Sequence, residues 1–203
     1  MPRCEEMTLK HNVVELFEQD EPEYMDIIIQ AFHDLPQIPI LIKKPEKTES
    51  IIKNLVKLYK KTGTIKVFGI RENDQVICVG FCIDSDSKPG FFKVLRFGFS
   101  LLLTVGLEGI REFWIYNENK PKYEKRCLEL FFYGTRATHQ RRGYGASMLQ
   151  FLYEYAQRNG FGGVTGVTNT SRPAFHFYMR EGWIVDTEFR IGKYTLCWVR
   201  YIV

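Results

Sequence analysis

The 203-residue chain predicts an α/β (α+β) fold in one domain, residues 1–203. Three observations carry this. Strand-length apolar runs alternate along the chain with amphipathic runs at helical spacing. Two pairs of extended runs are joined by short polar or glycine turns, which marks them as hairpins. The run Leu128 to Thr135 passes through a glycine-containing turn into a long amphipathic helix.

Taken in order, Asn12 to Phe17 reads as a first strand. Asp20-Glu21-Pro22-Glu23 opens a helix, with Asp20 as N-cap, Pro22 in the first turn and Glu23 closing a capping box. Met25, Ile28, Ile29 and Phe32 recur at helical spacing, and Pro36 and Pro39 stop the run. Ile51, Ile52, Leu55, Val56 and Tyr59 give a second amphipathic helix, ending near Gly63. Thr64 to Arg71 and Gln75 to Ile83 form a hairpin around Glu72-Asn73-Asp74. Phe91 to Tyr116 is rich in Phe, Leu and Gly and reads as mostly helical, and Asn117 to Arg126 reads as a loop. Met148, Leu149, Leu152, Tyr155 and Ala156 share one face of the helix after the glycine turn, which Asn159-Gly160 caps. Val164 to Thr168 is a strand and Arg172 to Glu181 a short helix ended by Gly182. Trp183 to Arg190 and Lys193 to Val203 close the chain as an antiparallel pair around Gly192.

Composition narrows the function classes. Hydrophobic residues at 45% and charged residues at 26% are the balance of an ordinary globular protein. No apolar run reaches the roughly 18 to 20 residues needed to cross a bilayer. The charged N-terminus (Arg3, Glu5, Glu6, Lys10) lacks a signal-peptide core, so the expectation is a cytoplasmic protein. A net charge of +4 is too small to imply nucleic acid. It is unevenly spread: residues 43–66 hold eight lysines against two glutamates, a solvated helix face or a docking patch for an acidic partner. The five cysteines (Cys4, Cys78, Cys82, Cys127, Cys197) follow neither a redox nor a zinc spacing and read as buried thiols. The four histidines are isolated, and no metal site is expected.

The chemistry concentrates at His139-Gln140-Arg141-Arg142-Gly143-Tyr144-Gly145-Ala146. A glycine turn between strand and helix leaves backbone N–H groups unpaired at the positive end of the helix dipole, which suits phosphate or pyrophosphate. Gly143 and Gly145 would let a ligand approach the backbone with no Cβ in the way, and Arg141 and Arg142 add charge. No P-loop Lys-Ser/Thr pair follows Gly145, which counts against a simple nucleotide binder.

Gln140-x-x-Gly143-x-Gly145 after a strand, then a helix, a strand and a second helix running into Phe177-Tyr178-x-x-x-Gly182-Trp183, resembles the GNAT N-acetyltransferase superfamily. The resemblance is clear over residues 128–190 and elsewhere rests on element order. It implies a GNAT-like acyl-CoA acyltransferase fold. That is a mixed, mostly antiparallel sheet of about six to seven strands with helices on both faces, and an insertion at about residues 89–120 before the fourth strand. It also implies acetyl-CoA as cosubstrate. Gln140, Arg141, Arg142, Gly143, Tyr144 and Gly145 would hold its pyrophosphate. The fourth strand would splay from the fifth, so that Gly134, Thr135 and Ala137 offer backbone contacts to the pantetheine. Ser171 stands where many members have an asparagine contacting the cofactor, and Asn169 is positioned to substitute for it.

Acyl transfer from a thioester to an amine of pKa roughly 10.4 needs a proton acceptor, and the thiolate, comparable to cysteine at roughly 8.5, needs a proton. The resemblance gives the second task to Tyr178, whose phenol stays protonated at neutral pH; packing beside Phe177 is its structural alternative. For the base, strand alternation would turn Glu129 across the cleft, where apolar neighbours Leu128, Leu130 and Phe131 would raise its pKa, or else outward to solvent. Glu108 and Glu112 are further candidates, and His139 and His176 read as structural. Trp114 and Tyr116 would offer aromatic surface to an acceptor. The expected activity is acetyl transfer by direct attack in a ternary complex to a primary amine, favouring a small molecule. A protein α-amine or lysine, or a non-catalytic acyl-CoA-binding module, are the alternatives. A roomy apolar pocket roofed by the insertion would favour the small molecule, and an open groove beside the first two helices the protein. A homodimer through the apolar insertion is compatible with the sequence.

Overall fold

The computed structural model describes residues 11–33, 48–62, 65–86, 102, 106–107 and 109–203. The stops at Pro36 and Pro39, most of the apolar run Phe91 to Leu107, and Glu108 lie outside the described residues. The elements are β1 (Val13–Glu15), α1 (Glu21–His33), α2 (Thr48–Thr62), β2 (Ile65–Glu72), β3 (Gln75–Asp84), α3 (109–118), β4 (Leu128–Thr135), α4 (Tyr144–Arg158), β5 (Gly163–Asn169), α5 (Pro173–Arg180), β6 (Ile184–Ile191) and β7 (Tyr194–Ile202). All seven strands join one sheet in the order β1-β2-β3-β4-β5-β7-β6, antiparallel throughout except for the parallel β4–β5 pair.

Helices cover both faces. Tyr24, Ile28 and Phe32 of α1 and Ile52 and Val56 of α2 pack on Val67, Val79, Phe81 and Phe132. Met148, Leu149 and Leu152 of α4 and Tyr178 of α5 pack on the other face, against Phe68, Cys78, Leu130, Val164 and Cys197. With both faces covered, β3 is apolar at successive positions rather than alternating, as a fully buried strand must be. The β2–β3 hairpin turns through Asn73 and Asp74 at φ 49° and 62°, a two-residue turn whose backbone twist matches that of the strands. Gly192 at φ 57° opens the two-residue turn between β6 and β7.

The start of α1 differs from expectation. A 3-10 turn, Glu18–Asp20, precedes the helix, and Asp20 reaches back to accept the Phe17 N–H at 2.8 Å while also holding Arg71. Glu23 therefore closes no capping box and instead accepts the Val76 N–H of β3 at 2.8 Å. In α2, Lys53 pairs with Glu49 and Lys60 with Glu21, while Lys57 is exposed.

Burial pushes the thiols of Cys78 and Cys197 up to about 12 and that of Cys127 up to about 11, and raises Cys82 as well. Only thiolates react readily. A thiol reagent at neutral pH should therefore leave all four unmodified in the folded protein and label them after denaturation, as read by mass spectrometry; labelling of any in the folded state contradicts their placement. Among the described residues, no helix is long and apolar enough to cross a membrane.

Candidate active site

The site is built by the way β4 leaves the sheet. β4 and β5 pair at only two positions, Leu128 with Val164 and Glu129 with Thr165. On its other edge β4 follows β3, but the register slips: Cys82 faces Leu130 and Phe81 faces Phe132, so Phe131 is an extra residue in a bulge. A bulge bends its strand and increases local twist. Beyond Glu129 the edge of β4 turned toward β5 is left without a ladder partner, and a wedge opens between the two strands.

α4 begins beside the open end of that wedge. Its N-cap, Gly143, sits at φ 89°, in the left-handed region that glycine enters without a Cβ penalty. Arg141, at φ 62°, enters the same region with a side chain and holds the turn in a costlier conformation. The first bond into the helix runs from Ser147 N–H to Gly143 C=O at 3.0 Å, so the amides of Tyr144, Gly145 and Ala146 have no helical acceptor. Gln140, Arg141, Arg142 and Gly143 are exposed around them. The Gln140 amide donates to the Thr135 carbonyl at 3.2 Å and ties the turn to β4. Ala137 lies in the 3-10 turn Ala137–His139, and its carbonyl accepts the Gln140 N–H. The Tyr144 side chain is directed away from the turn: its hydroxyl donates to Glu72 at 2.8 Å and its ring stacks on His11.

Two of the glycines have other reasons to be small. A Cβ on Gly145 would lie 2.5 Å from the Tyr133 hydroxyl and 3.5 Å from Phe177, so Tyr133 occupies the face that the sequence assigned to a ligand. A Cβ on Gly134 would meet Ala31 and Ile27 of α1 at 3.1 and 3.4 Å. Thr135 donates its hydroxyl to the Cys78 sulfur at 3.3 Å.

Tyr178 is buried on α5, its ring 4.6 Å from that of Trp183. Burial, then the neighbouring Cys78, raises its phenol above the ordinary value, so it is held protonated. Tyr133 is raised for the same first reason, and its buried hydroxyl lies beside the Cys78 thiol. At the end of β5, Asn169 Oδ1 accepts both the Ser171 N–H (3.0 Å) and the Ser171 hydroxyl (2.8 Å). Asn169 and Ser171 are thus one unit, and the Asn169 Nδ2 donor is buried with no partner among the described residues. The orphaned donor on Asn169, with free amides on α4, fits a ligand that brings acceptors into the wedge.

Glu129 lies at the apex of the wedge and is 3% exposed, so the outward-facing alternative does not hold. Nor are its surroundings purely apolar: Lys120 Nζ lies 2.6 Å from its carboxylate. Around the pair is a pocket of about 530 Å³ lined by Tyr59, Phe113, Tyr116, Tyr123 and Phe131. Burial, and then the Glu129 charge, push the Tyr59 phenol up to about 12 and raise that of Tyr116. Phe113, Tyr116 and Asn117 follow the spacing of one face of α3, and Lys120 stands in the loop after it. Trp114, one position out of step, is 60% exposed and lines no wall of this pocket. Glu112 is buried on α3 but also lines no part of it. His176 is exposed, and His139 bonds Thr138 and approaches Glu72.

The acetyltransferase (GNAT) family model matches residues 43–183. The chain belongs to the GNAT acetyltransferase family. No curated protein matches it. Solved structures similar to this GNAT chain include the C-terminal condensation domain of Ebony in complex with β-alanyl-dopamine, at 15% identity and TM-score 0.64, covering 97% of this chain and 100% of that one. A histone acetyltransferase HPA2-related acetyltransferase from Corynebacterium glutamicum aligns at 15% identity and TM-score 0.60, covering 93% and 94%. A Bacillus subtilis acetyltransferase in complex with CoA aligns at 11% identity and TM-score 0.56, covering 96% and 99%. These likenesses establish the GNAT fold, and the family establishes acetyl-CoA-dependent acyl transfer.

The site residues that sequence reasoning missed are Lys120, Tyr59, Phe113 and Tyr123; Phe131 is read there only as an apolar neighbour of Glu129. Helical spacing from Tyr116 and Asn117 was a usable signal for Phe113, whereas Lys120 lies past the end of α3; nothing local in the sequence joins Tyr59 or Tyr123 to Glu129.

Proposed function

We propose that this GNAT enzyme transfers the acetyl group of acetyl-CoA to the primary amine of a small molecule, by direct attack with both substrates bound. The observation that carries the reading is the parting of β4 from β5 after two residue pairs, with the N-terminus of α4 at the open end and Glu129 at the apex. Acetyl-CoA supplies the activated acyl thioester. The amides of Gly143, Tyr144 and Gly145 receive its pyrophosphate, with Gln140, Arg141 and Arg142 around them. The free edge at Gly134 and Thr135, followed by Ala137, pairs with the pantetheine, and Asn169, held by Ser171, donates its free Nδ2. Glu129 takes the proton released by the attacking amine, and Tyr178 gives its proton to the departing thiolate.

Two features favour a small acceptor. The pocket at Glu129 is walled by α3 from the insertion and by the loop 119–127, with Tyr59 of α2 on a further side. The Ebony domain, which has the same fold, was solved with β-alanyl-dopamine, a small molecule. A CoA-release assay comparing a set of small primary amines with lysine-bearing and free-N-terminus peptides tests this. Turnover with small amines and not with peptides is expected; preference for a peptide would assign the acceptor to protein.

A further inference from the structure

The contents of the apical pocket narrow the acceptor further. Lys120 places a primary ammonium, on an alkyl stem, 2.6 Å from the buried Glu129 carboxylate and 5.7 Å from the centre of the Trp198 ring. The chain's own lysine thus shows what the pocket accommodates at its base: an R–NH₃⁺ group, bonded by a carboxylate and facing aromatic surface. Lys120 is held from a loop and its side chain is 27% exposed, so it can swing out, whereas Glu129, at 4%, stays.

The walls above that ammonium are aromatic. Tyr59 meets Phe131 edge to face with centroids 5.2 Å apart, and Tyr116 packs on Trp198 at 5.2 Å. Phe113 and Tyr123 add to this lining, with Ile83 and Pro121 beside them. Flat apolar walls of this kind select a ring, which gains stacking or edge contacts beyond its buried area. Asp84, Asp86 and Lys122 also line the pocket. Asp84 is bonded to Arg126 at 3.0 Å, whereas Asp86 remains open to a second ammonium, so the aromatic walls and not the carboxylates are what favour a ring over a polyamine.

We infer that the acceptor is an arylalkylamine, a primary amine on a short alkyl stem carrying an aromatic ring, whose ammonium displaces Lys120 from Glu129 while its ring packs among Tyr59, Phe113, Tyr116 and Phe131. The inference rests on the proposed acetyl-transfer reading, and its test separates the two. Steady-state CoA release is measured for phenethylamine, tyramine, butylamine, spermidine and a lysine-bearing peptide, after acetyl-CoA binding has been measured by calorimetry. The arylalkylamines should exceed butylamine and spermidine in kcat/KM by about tenfold or more. Lys120→Met, which removes the internal competitor, should lower KM for phenethylamine about fivefold, the scale of a part-exposed ion pair. A merely structural lysine would leave KM unchanged or raise it. Equal or better turnover of butylamine, spermidine or the peptide overturns the inference and leaves the acetyl-transfer reading standing; so does acetyl-CoA binding with no turnover of the arylalkylamines. Absence of acetyl-CoA binding removes the underlying reading itself.

Discussion

Tyr178→Phe is expected to keep acetyl-CoA affinity within about twofold while lowering kcat by about 10²- to 10⁴-fold, the range for loss of a positioned proton donor. The substitution removes one oxygen and leaves the ring packed against Trp183, so the fold has no reason to change. The pH dependence follows from the sign of the shift. Burial and Cys78 raise the phenol above its ordinary value, so its proton-donating form persists through neutral and moderately alkaline solution. The wild-type enzyme should then show no alkaline fall in kcat from this group below about pH 10. Unchanged turnover in the variant, measured at saturating acetyl-CoA, would remove Tyr178 from the chemistry and leave it as a packing residue.

Glu129→Gln should be comparably severe. The amide is isosteric and can still accept from Lys120 through its oxygen, so the packing around the Lys120 pair survives, but it cannot take up a proton. Loss of about 10²- to 10⁴-fold in kcat/KM is expected, with the rising limb of the pH–rate profile flattened. Calorimetry should find acetyl-CoA affinity unaltered, because the residues proposed to hold the cofactor lie at the other end of the wedge. A variant with a normal pH–rate profile would transfer the base to another group; Glu112, buried on α3 outside this pocket, is then the next to substitute.

How much of this was legible depends on whether the cause was local. Leu128 to Thr135 was read to the residue because an apolar run of strand length was bounded by a polar loop and a glycine turn. The N-terminus of α4 was readable for the same reason: only a residue tolerant of positive φ suits position 143. Tertiary causes stayed hidden. Glu23 looks like half of a capping box, yet its partner is Val76 on a strand that follows much later in the chain. Gly145 looks like a place for a ligand to approach, yet Tyr133 fills the space. The bulge at Phe131 is invisible beside an equally apolar Phe132. Glu129 was singled out from strand alternation, but its ion pair with Lys120 from the loop after α3, and the rings of Tyr59, Phe113, Tyr116 and Tyr123, are revealed by no spacing within β4.

The most direct test of the account is a calorimetric titration of the purified protein with acetyl-CoA, run beside desulfo-CoA and ATP, and repeated on Gly143→Val. The account predicts micromolar binding of acetyl-CoA, retained binding of desulfo-CoA, none of ATP, and a loss of at least about tenfold in the variant, where a β-branched residue is forced to positive φ at the start of α4. Failure of acetyl-CoA to bind the wild-type protein, or equal binding by Gly143→Val, would mean that the turn from Gln140 to Gly145 only connects β4 to α4 and does not anchor the cosubstrate.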